Sequence, residues 1–322
     1  MSKIVLGTMN ICYPYSSNKS TEEYGKIISE YINIFGQNSY LDTAYYYGNK
    51  KTEAVLGEIL ENSNILQPKI ATKVNPWFNN DFSSGKLGQL SKEGIMHQFN
   101  TSLKNLRKKK VEILYLHCPD YETPIQETIE VMNDLYRTEK INHWGLSNFS
   151  STLTKEIIEL CENKGLQLPS YYQGMYNPIC RKIESIFPIL DEYSMEFWGY
   201  NPLAGGLLTS KYKNDQELTK NNRFYNNQIY SNIFWKDPII QALDQFYPKI
   251  VDTSIDYTFS WLMNHSYCSE RFNKIILGVS SISQLTQNLN SIYNYRHLNS
   301  NELMNMDTMY NSIEEHTPNY YY

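Results

Sequence analysis

Asp42, the run Tyr45-Tyr46-Tyr47, Lys73 and His117 lie in the first part of the chain, and together they could move a proton. Asp42 lies near the end of the short apolar run YLDT (40–43), Lys73 near the end of KIATKV (69–74), and His117 ends EILYLH (112–117). A buried lysine is costly unless it is paired, and an aspartate on a neighbouring strand is a natural partner. A phenol ionises near pH 10, so it is a poor acid at neutrality unless a cation stabilises its phenolate. Lowering that value by three units takes roughly 4 kcal/mol of differential interaction. A desolvated lysine, itself held charged by an aspartate, could supply much of it. The set therefore reads as a proton donor with electrostatic support. The competing reading is a structural ion pair with a capping histidine. The tyrosines directly after Asp42 favour the chemical one, without saying which of the three donates.

Those residues converge only if the strands carrying them are neighbours. Short apolar runs of strand character recur at IVLGT (4–8), YLDT, KIATKV, EILYLH, HWGLS (143–147), YYQGM (171–175), EFWGY (196–200) and KIILG (274–278). Helix-period segments lie between most of them. Thr123-Pro124-Ile125-Gln126 reads as a capping box opening a helix to about Arg137. Ser91 and Ser151 read as N-caps, and Asp237-Pro238 opens another helix. Strands alternating with helices imply βαβ units and a parallel sheet. Eight of them imply a closed (β/α)8 barrel whose active groups sit at the C-terminal strand ends. The gap between the seventh and eighth strands is long and holds NPLAGGLLTSKY, a polar asparagine-rich loop (213–232) and helical sequence through His265. Residues after Asn301 read as one more helix and a tail. No stretch has linker character, so residues 1–322 read as one domain.

The 322 residues carry a mild net charge of −5. The longest basic block, RKKK at 107–110, follows a helical pattern and reads as a solvated helix end rather than a nucleic-acid patch. Five scattered cysteines with no CxxC pair imply reduced thiols, as in the cytoplasm. The N-terminus runs straight into a strand, and no run of apolar residues is long enough to span a bilayer. No metal-ligating motif is present. The signatures GxGxxG, GxxxxGK[ST] and HExxH are missing, and GLSNF (145–149) lacks the second glycine of a GxSxG elbow.

From Val5 to Tyr320 the chain resembles an aldo-keto reductase of the aflatoxin-aldehyde reductase branch. The resemblance runs through ATKVNPWF, YLHCPD, GLSNF, YQGMYN, NPLAGGLLTSKY and ILGVSSISQLTQNL. It implies a barrel that reduces small carbonyl substrates with NADPH and no Rossmann fold, consistent with the missing glycine fingerprint. The family spaces its catalytic tyrosine five residues after the aspartate, which selects Tyr47 and leaves Tyr45 and Tyr46 as wall. Lys73 then lowers the pKa of Tyr47, Asp42 partners Lys73, and His117 orients the carbonyl. By the same resemblance Ser147, Asn148 and Gln173 hold the nicotinamide carboxamide, and Tyr200 stacks on its ring. Asn201, Leu203, Gly205, Gly206, Leu207 and Lys211 belong to the loop that straps the pyrophosphate, with Arg223 on the phosphates. Ser280, Ser281, Gln284 and Asn288 form the 2′-phosphate site at a helix N-terminus, where exposed amides favour an anion. Ser281-x-x-Gln284 is also a good capping box, which would leave Ser280 available. A homodimer is the family's default assembly. A cofactor-sensing regulatory subunit on the same barrel is the rival; such subunits carry an extension before the first strand, which this sequence lacks.

Two positions depart from the branch. Relatives grip a substrate carboxylate with two arginines, one two residues before the tryptophan of a W-K pair and one ending a PNY-x-R tail. This chain has Ile233 and Tyr322 there, with Tyr230 kept nearby. Losing both removes a bidentate fork. The sequence thus predicts a pocket walled by Met9, Trp77 and Tyr230 that suits neutral aldehydes better than acidic ones.

Overall fold

Eight parallel strands close into a barrel in sequence order, with β1 pairing β8. The strands are β1 (Ile4–Gly7), β2 (Tyr40–Asp42), β3 (Lys69–Val74), β4 (Val111–Leu116), β5 (Ile141–Ser147), β6 (Tyr171–Met175), β7 (Glu196–Tyr200) and β8 (Lys274–Gly278). The structure is a computed structural model and describes residues 3–12, 19–62, 65–211, 224, 227–249, 251–269 and 273–322. All eight expected strands form. His117 falls one residue beyond β4, where its backbone N–H still donates to Val74 O at 2.8 Å.

Between strands run α1 (Thr21–Phe35), α2 (Thr52–Asn62), α3 (Lys92–Leu106), α4 (Ile125–Arg137), α5 (Ser151–Lys164) and α6 (Phe187–Glu192). The long β7–β8 connection holds α7 (Gln228–Phe234), α8 (Asp237–Phe246) and α9 (Val251–Asn264). Beyond β8 come α10 (Ile282–Tyr293) and the extra C-terminal helix α11 (Ser300–Ile313). Among the described residues no helix is long and apolar enough to cross a membrane.

Successive strand residues alternate between the barrel interior and the helix layer, and both sides are packed. Outward residues such as Leu41, Leu114 and Leu146 join helix residues such as Ile28, Leu56 and Ile158 in the main core. Val5, Ala71, Ile113, Tyr115, Trp198 and Ile276 fill the interior, with Tyr40, Tyr171 and Tyr200 packed against them. Asp42 and Lys73 sit above this plug at the C-terminal strand ends.

Two of three helix starts differ in detail from expectation. Ser91 caps α3 as read, its hydroxyl accepting from Gly94 N. At α5 the cap is Ser150, not Ser151, with Ser150 Oγ accepting from Leu153 N. The Thr123 capping box does not form. Its hydroxyl donates instead to Asp120 Oδ2 at 2.9 Å, and α4 starts without a side-chain cap. Asp120 wins because its carboxylate also accepts from the backbones of Gly88, Leu90 and Glu122, and charged acceptors outcompete neutral ones. Asp120 thereby ties the loop after β3 to the loop after β4.

The tail returns to the barrel mouth. Arg181 donates to Asp307 Oδ1 at 2.7 Å and lies over the Trp261 ring, fixing α11. The hydroxyl of Tyr320 accepts from Ser151 N, and Tyr322 N donates to Asn148 O at 3.3 Å. Tyr121 donates from its hydroxyl to Tyr322 O at 2.6 Å, so Tyr322 is held over the strand ends.

Candidate active site

Lys73 is wholly buried and donates to both carboxylate oxygens of Asp42 at 2.8 Å and to Thr43 O at 2.8 Å. Its Nζ lies 3.4 Å from the Tyr47 hydroxyl. Burial pulls the ammonium below its ordinary value, while Asp42 pulls it back up. Desolvation and pairing thus oppose each other on one cation that touches one phenol.

The Tyr-Tyr-Tyr-Gly run leads into a tight reversal. Tyr47 opens a short 3-10 turn, and the chain then reverses through left-handed backbone at Gly48 (φ 57°), Asn49 (φ 51°) and Lys50 (φ 70°). Gly48 is required there: an added Cβ would lie 2.6 Å from Thr52 Oγ1 and 2.8 Å from Cys12 Cβ. Tyr45 is buried, and its backbone N–H donates to Lys73 O. Tyr46 is half-buried, packs edge-on against Trp77 at 4.9 Å and lines the cavity above the ion pair. Tyr45 is thus buried away from the cavity, whereas Tyr46 shares its lining with Tyr47.

His117 completes the cluster, its ring 5.9 Å from that of Tyr47 and 5.3 Å from that of Trp77. Burial, and then the charge of Lys73, hold its pKa well below the usual imidazole value, so the ring is neutral. Nδ1 is buried with no hydrogen-bond partner among the described residues. On the far side of β3, Glu53 of α2 is buried and accepts from the Thr72 hydroxyl at 2.5 Å; burial pushes its carboxyl up to about 7.

The strand ends opposite bring the expected polar set together. Asn148 (φ 62°) donates from Nδ2 to His117 O at 2.9 Å and to Ser147 Oγ at 3.0 Å, and accepts at Oδ1 from the Tyr200 hydroxyl at 2.8 Å. Gln173 donates from Nε2 to Asp42 Oδ1 at 2.8 Å. Ser147 and Gln173 are register partners on β5 and β6. Asn201 accepts from the Tyr230 hydroxyl at 3.2 Å. Leu203, Gly205, Gly206 and Leu207 lie in or beside a 3-10 segment (Ala204–Thr209), with left-handed φ at both glycines. A Cβ on Gly205 would meet the Tyr230 ring at 2.9 Å, so glycine keeps this backbone against the aromatic. Lys211 is exposed at the end of the segment. Arg223 lies outside the described residues.

At α10 the expectation needs correcting. Ser281 Oγ accepts from Gln284 N as an N-cap, but Gln284 Oε1 accepts from Ser280 N at 2.8 Å and Ser280 Oγ at 3.0 Å. The box closes on Ser280 rather than Ser281, so Ser280 is engaged rather than available. Asn288 is buried on the same helix.

The cavity at the mouth, about 240 Å³, is lined by Asp42, Tyr47, His117, Ser147, Asn148, Gln173, Tyr200 and Asn201 on its polar side. Met9, Trp77, Tyr230, Ile233 and Tyr322 line it as well, so the two positions where relatives carry arginine do face it. The sequence reading missed Asn10, Phe82, Cys118 and Met175 as lining residues. Met175 lies two residues beyond Gln173, and strand alternation would have found it; Phe82, in the loop after β3, packs edge-on against Trp77 at 5.1 Å and Tyr322 at 5.8 Å.

The family model described as Aldo/keto reductase family matches residues 3–311. The human protein named aflatoxin B1 aldehyde reductase member 2 is 38% identical over 266 residues, covering 77% of this chain and 72% of its own. Its mouse counterpart is 36% identical over 305 residues, covering 88% of this chain and 79% of its own. Among solved structures, a glycerol dehydrogenase from Gluconobacter oxydans superposes with TM-score 0.73 at 22% identity, over 99% of this chain and 93% of its own, and speaks for the fold alone. With the eight-stranded barrel and the buried Asp–Lys pair at its mouth, these similarities place the chain in the aldo/keto reductase family, oxidoreductases that work with a nicotinamide cofactor.

Proposed function

We propose that this protein reduces neutral aldehydes to alcohols with NADPH, using Tyr47 as the proton donor. The observation that supports this best is the wholly buried Lys73, 2.8 Å from Asp42 and 3.4 Å from the Tyr47 hydroxyl, beside a neutral His117. Bound NADPH supplies the hydride that adds to the carbonyl carbon. Tyr47 gives its proton to the carbonyl oxygen, and the positive charge of Lys73 stabilises the phenolate left behind. Asp42 keeps Lys73 charged where burial alone would not. His117, which lines the cavity beside Tyr47, would hydrogen-bond the carbonyl oxygen and orient it.

The chain's own groups fit the cofactor. An amide needs donors and acceptors together, and Ser147, Asn148 and Gln173 offer both at adjacent strand ends. Tyr200 presents an aromatic face beside them. Gly205 and Gly206 allow a close backbone approach for the pyrophosphate, with Lys211 adding positive charge, and the N-terminus of α10 favours the 2′-phosphate. For substrate, the wall is aromatic and apolar, and none of the described lining residues is cationic. The resemblance extends this reading to a cytoplasmic homodimer.

The test is NADPH oxidation with 4-nitrobenzaldehyde. Tyr47→Phe should lower the rate by about 10²–10⁴-fold, the usual contribution of general acid catalysis. NADPH binding, followed by fluorescence, should survive, and Tyr46→Phe should stay active. A dead Tyr46→Phe beside an active Tyr47→Phe would show that the wrong tyrosine has been assigned. Wild-type protein that binds NADPH but turns over no carbonyl would favour a regulatory subunit.

A further inference from the structure

The contact between Gln173 and Asp42 joins two sites that the proposed function treats separately. The two residues are 131 positions apart, on β6 and β2, strands on opposite sides of the barrel. Gln173 is buried, and its side chain reaches across the interior to place Nε2 at 2.8 Å from Asp42 Oδ1. Amide oxygen and nitrogen are often interchangeable on geometry alone, but not here. The reversed amide would set its oxygen against a carboxylate, acceptor against acceptor. The nitrogen must face Asp42, and the amide oxygen is left as the acceptor for other partners.

We propose that Gln173 is a positioning residue that ties the carboxamide site to the Asp42–Lys73 pair and so helps to set the acidity of Tyr47. This rests on the proposed role of Tyr47. Asp42 offsets part of the Lys73 charge, and what remains acts on the phenol 3.4 Å away. An N–H on Asp42 Oδ1 takes up some of that oxygen's negative potential. More of the lysine's field then reaches Tyr47. A donor placed on the oxygen of Gln173, as a carboxamide N–H would be, polarises the amide and strengthens its N–H bond to Asp42. The acid is thereby poised most fully when the carboxamide site is filled. The other titratable groups facing this cluster are Glu53 from α2, Tyr115 from β4, His117 beyond it and Tyr200 from β7. None of them is itself substituted, although Asn148→Ala removes the acceptor of the Tyr200 hydroxyl and Gln173 variants remove a neighbour of Tyr115.

The experiment compares wild type, Gln173→Met and Asn148→Ala. Asn148 belongs to the same carboxamide set, but its side chain bonds to His117 O, Ser147 Oγ and Tyr200, not to Asp42. Ionisation of Tyr47 is read without cofactor by NMR on isotope-labelled tyrosine, with Tyr47→Phe identifying the signal. The pH profile of kcat/KM for 4-nitrobenzaldehyde is read with NADPH. In Gln173→Met the Tyr47 pKa and the high-pH limb should both rise by roughly half a pH unit or more, because a hydrogen bond to the charged pair is lost. In Asn148→Ala only the KM for NADPH should rise. Gln173→Asn shortens the amide by one methylene and breaks the same contact, covering a Met variant that fails to fold. If both Gln173 variants weaken NADPH binding while limb and ionisation stay put, Gln173 is a cofactor clamp and the inference is overturned. A wild-type limb that is unaffected by Tyr47→Phe would instead overturn the role of Tyr47 itself.

Discussion

Ile233→Arg puts a guanidinium on the wall of a cavity whose described lining holds no cation. Ile233 is half-buried, packs against the core and lines the cavity together with Tyr230, one turn earlier on α7, and Tyr322. The nearest lysine in sequence, Lys236, has its Nζ on His316 O at 2.7 Å. A substrate carboxylate entering the wild-type cavity therefore meets tyrosine hydroxyls and hydrocarbon. A charge-assisted hydrogen bond contributes roughly 1.5–3 kcal/mol. Missing one such partner should cost an acidic aldehyde about ten- to a hundredfold in kcat/KM. We thus expect 4-nitrobenzaldehyde to exceed succinic semialdehyde by at least about tenfold in the wild type. Arginine restores the bond but must order its side chain, at about 1 kcal/mol given its rigid fork. The net gain of about 0.5–2 kcal/mol should raise kcat/KM for succinic semialdehyde by roughly two- to thirtyfold. The gain should appear mainly in KM if the carboxylate is held equally in ground and transition states. Steady-state kinetics on both substrates in both proteins decides it. A wild type that prefers succinic semialdehyde refutes the reasoning and points to another cation, such as Arg223 or Lys236.

NADPH should bind more tightly than NADH if the start of α10 takes the 2′-phosphate as proposed; equal dissociation constants in a fluorescence titration would overturn this. Glu53 gives a pH dependence of unusual sign. Burial raises its folded pKa to about 7, above the roughly 4.3 of a free glutamate. The native state therefore holds more protons between those values, and stability falls as pH rises from about 4.3 through about 7. Glu53→Gln should remove that slope and gain on the order of 3 kcal/mol over wild type at pH 8, read from urea midpoints. A variant whose midpoint tracks wild type from pH 5 to 8 would show that Glu53 is already ionised in the fold.

Strand positions and barrel closure were legible from apolar runs punctuated by helix patterns, because alternation and spacing are local signals. Helix caps were less so. Ser150 lies beside Ser151 with the same hydroxyl, and Thr123 lost its capping role to Asp120, whose carboxylate gathers amides from a loop thirty residues away. The Asp42–Lys73 pair was anticipated from neighbouring strand ends, and adjacency of β2 and β3 delivers it. Tyr47 was chosen by resemblance, since three identical phenols in a row are indistinguishable by type. The fold buries Tyr45 and leaves Tyr46 and Tyr47 on the cavity, and the contact with Lys73 belongs to Tyr47.

The sequence by itself determined which side chains line up at the C-terminal strand ends, since one residue of slip along a strand would turn each of them to the opposite face. Only the closed barrel decided what meets across it. Gln173 reaches Asp42 because β6 and β2 face each other over the interior, and no local pattern encodes a distance across a ring of eight strands. Tyr322 faces the cavity because α11 docks through Arg181 and Asp307, returning the tail to the mouth. The chemistry of each group is a property of its residue. Its desolvation, and so the charge states of Lys73, His117 and Glu53, belongs to the packed interior that only tertiary structure creates.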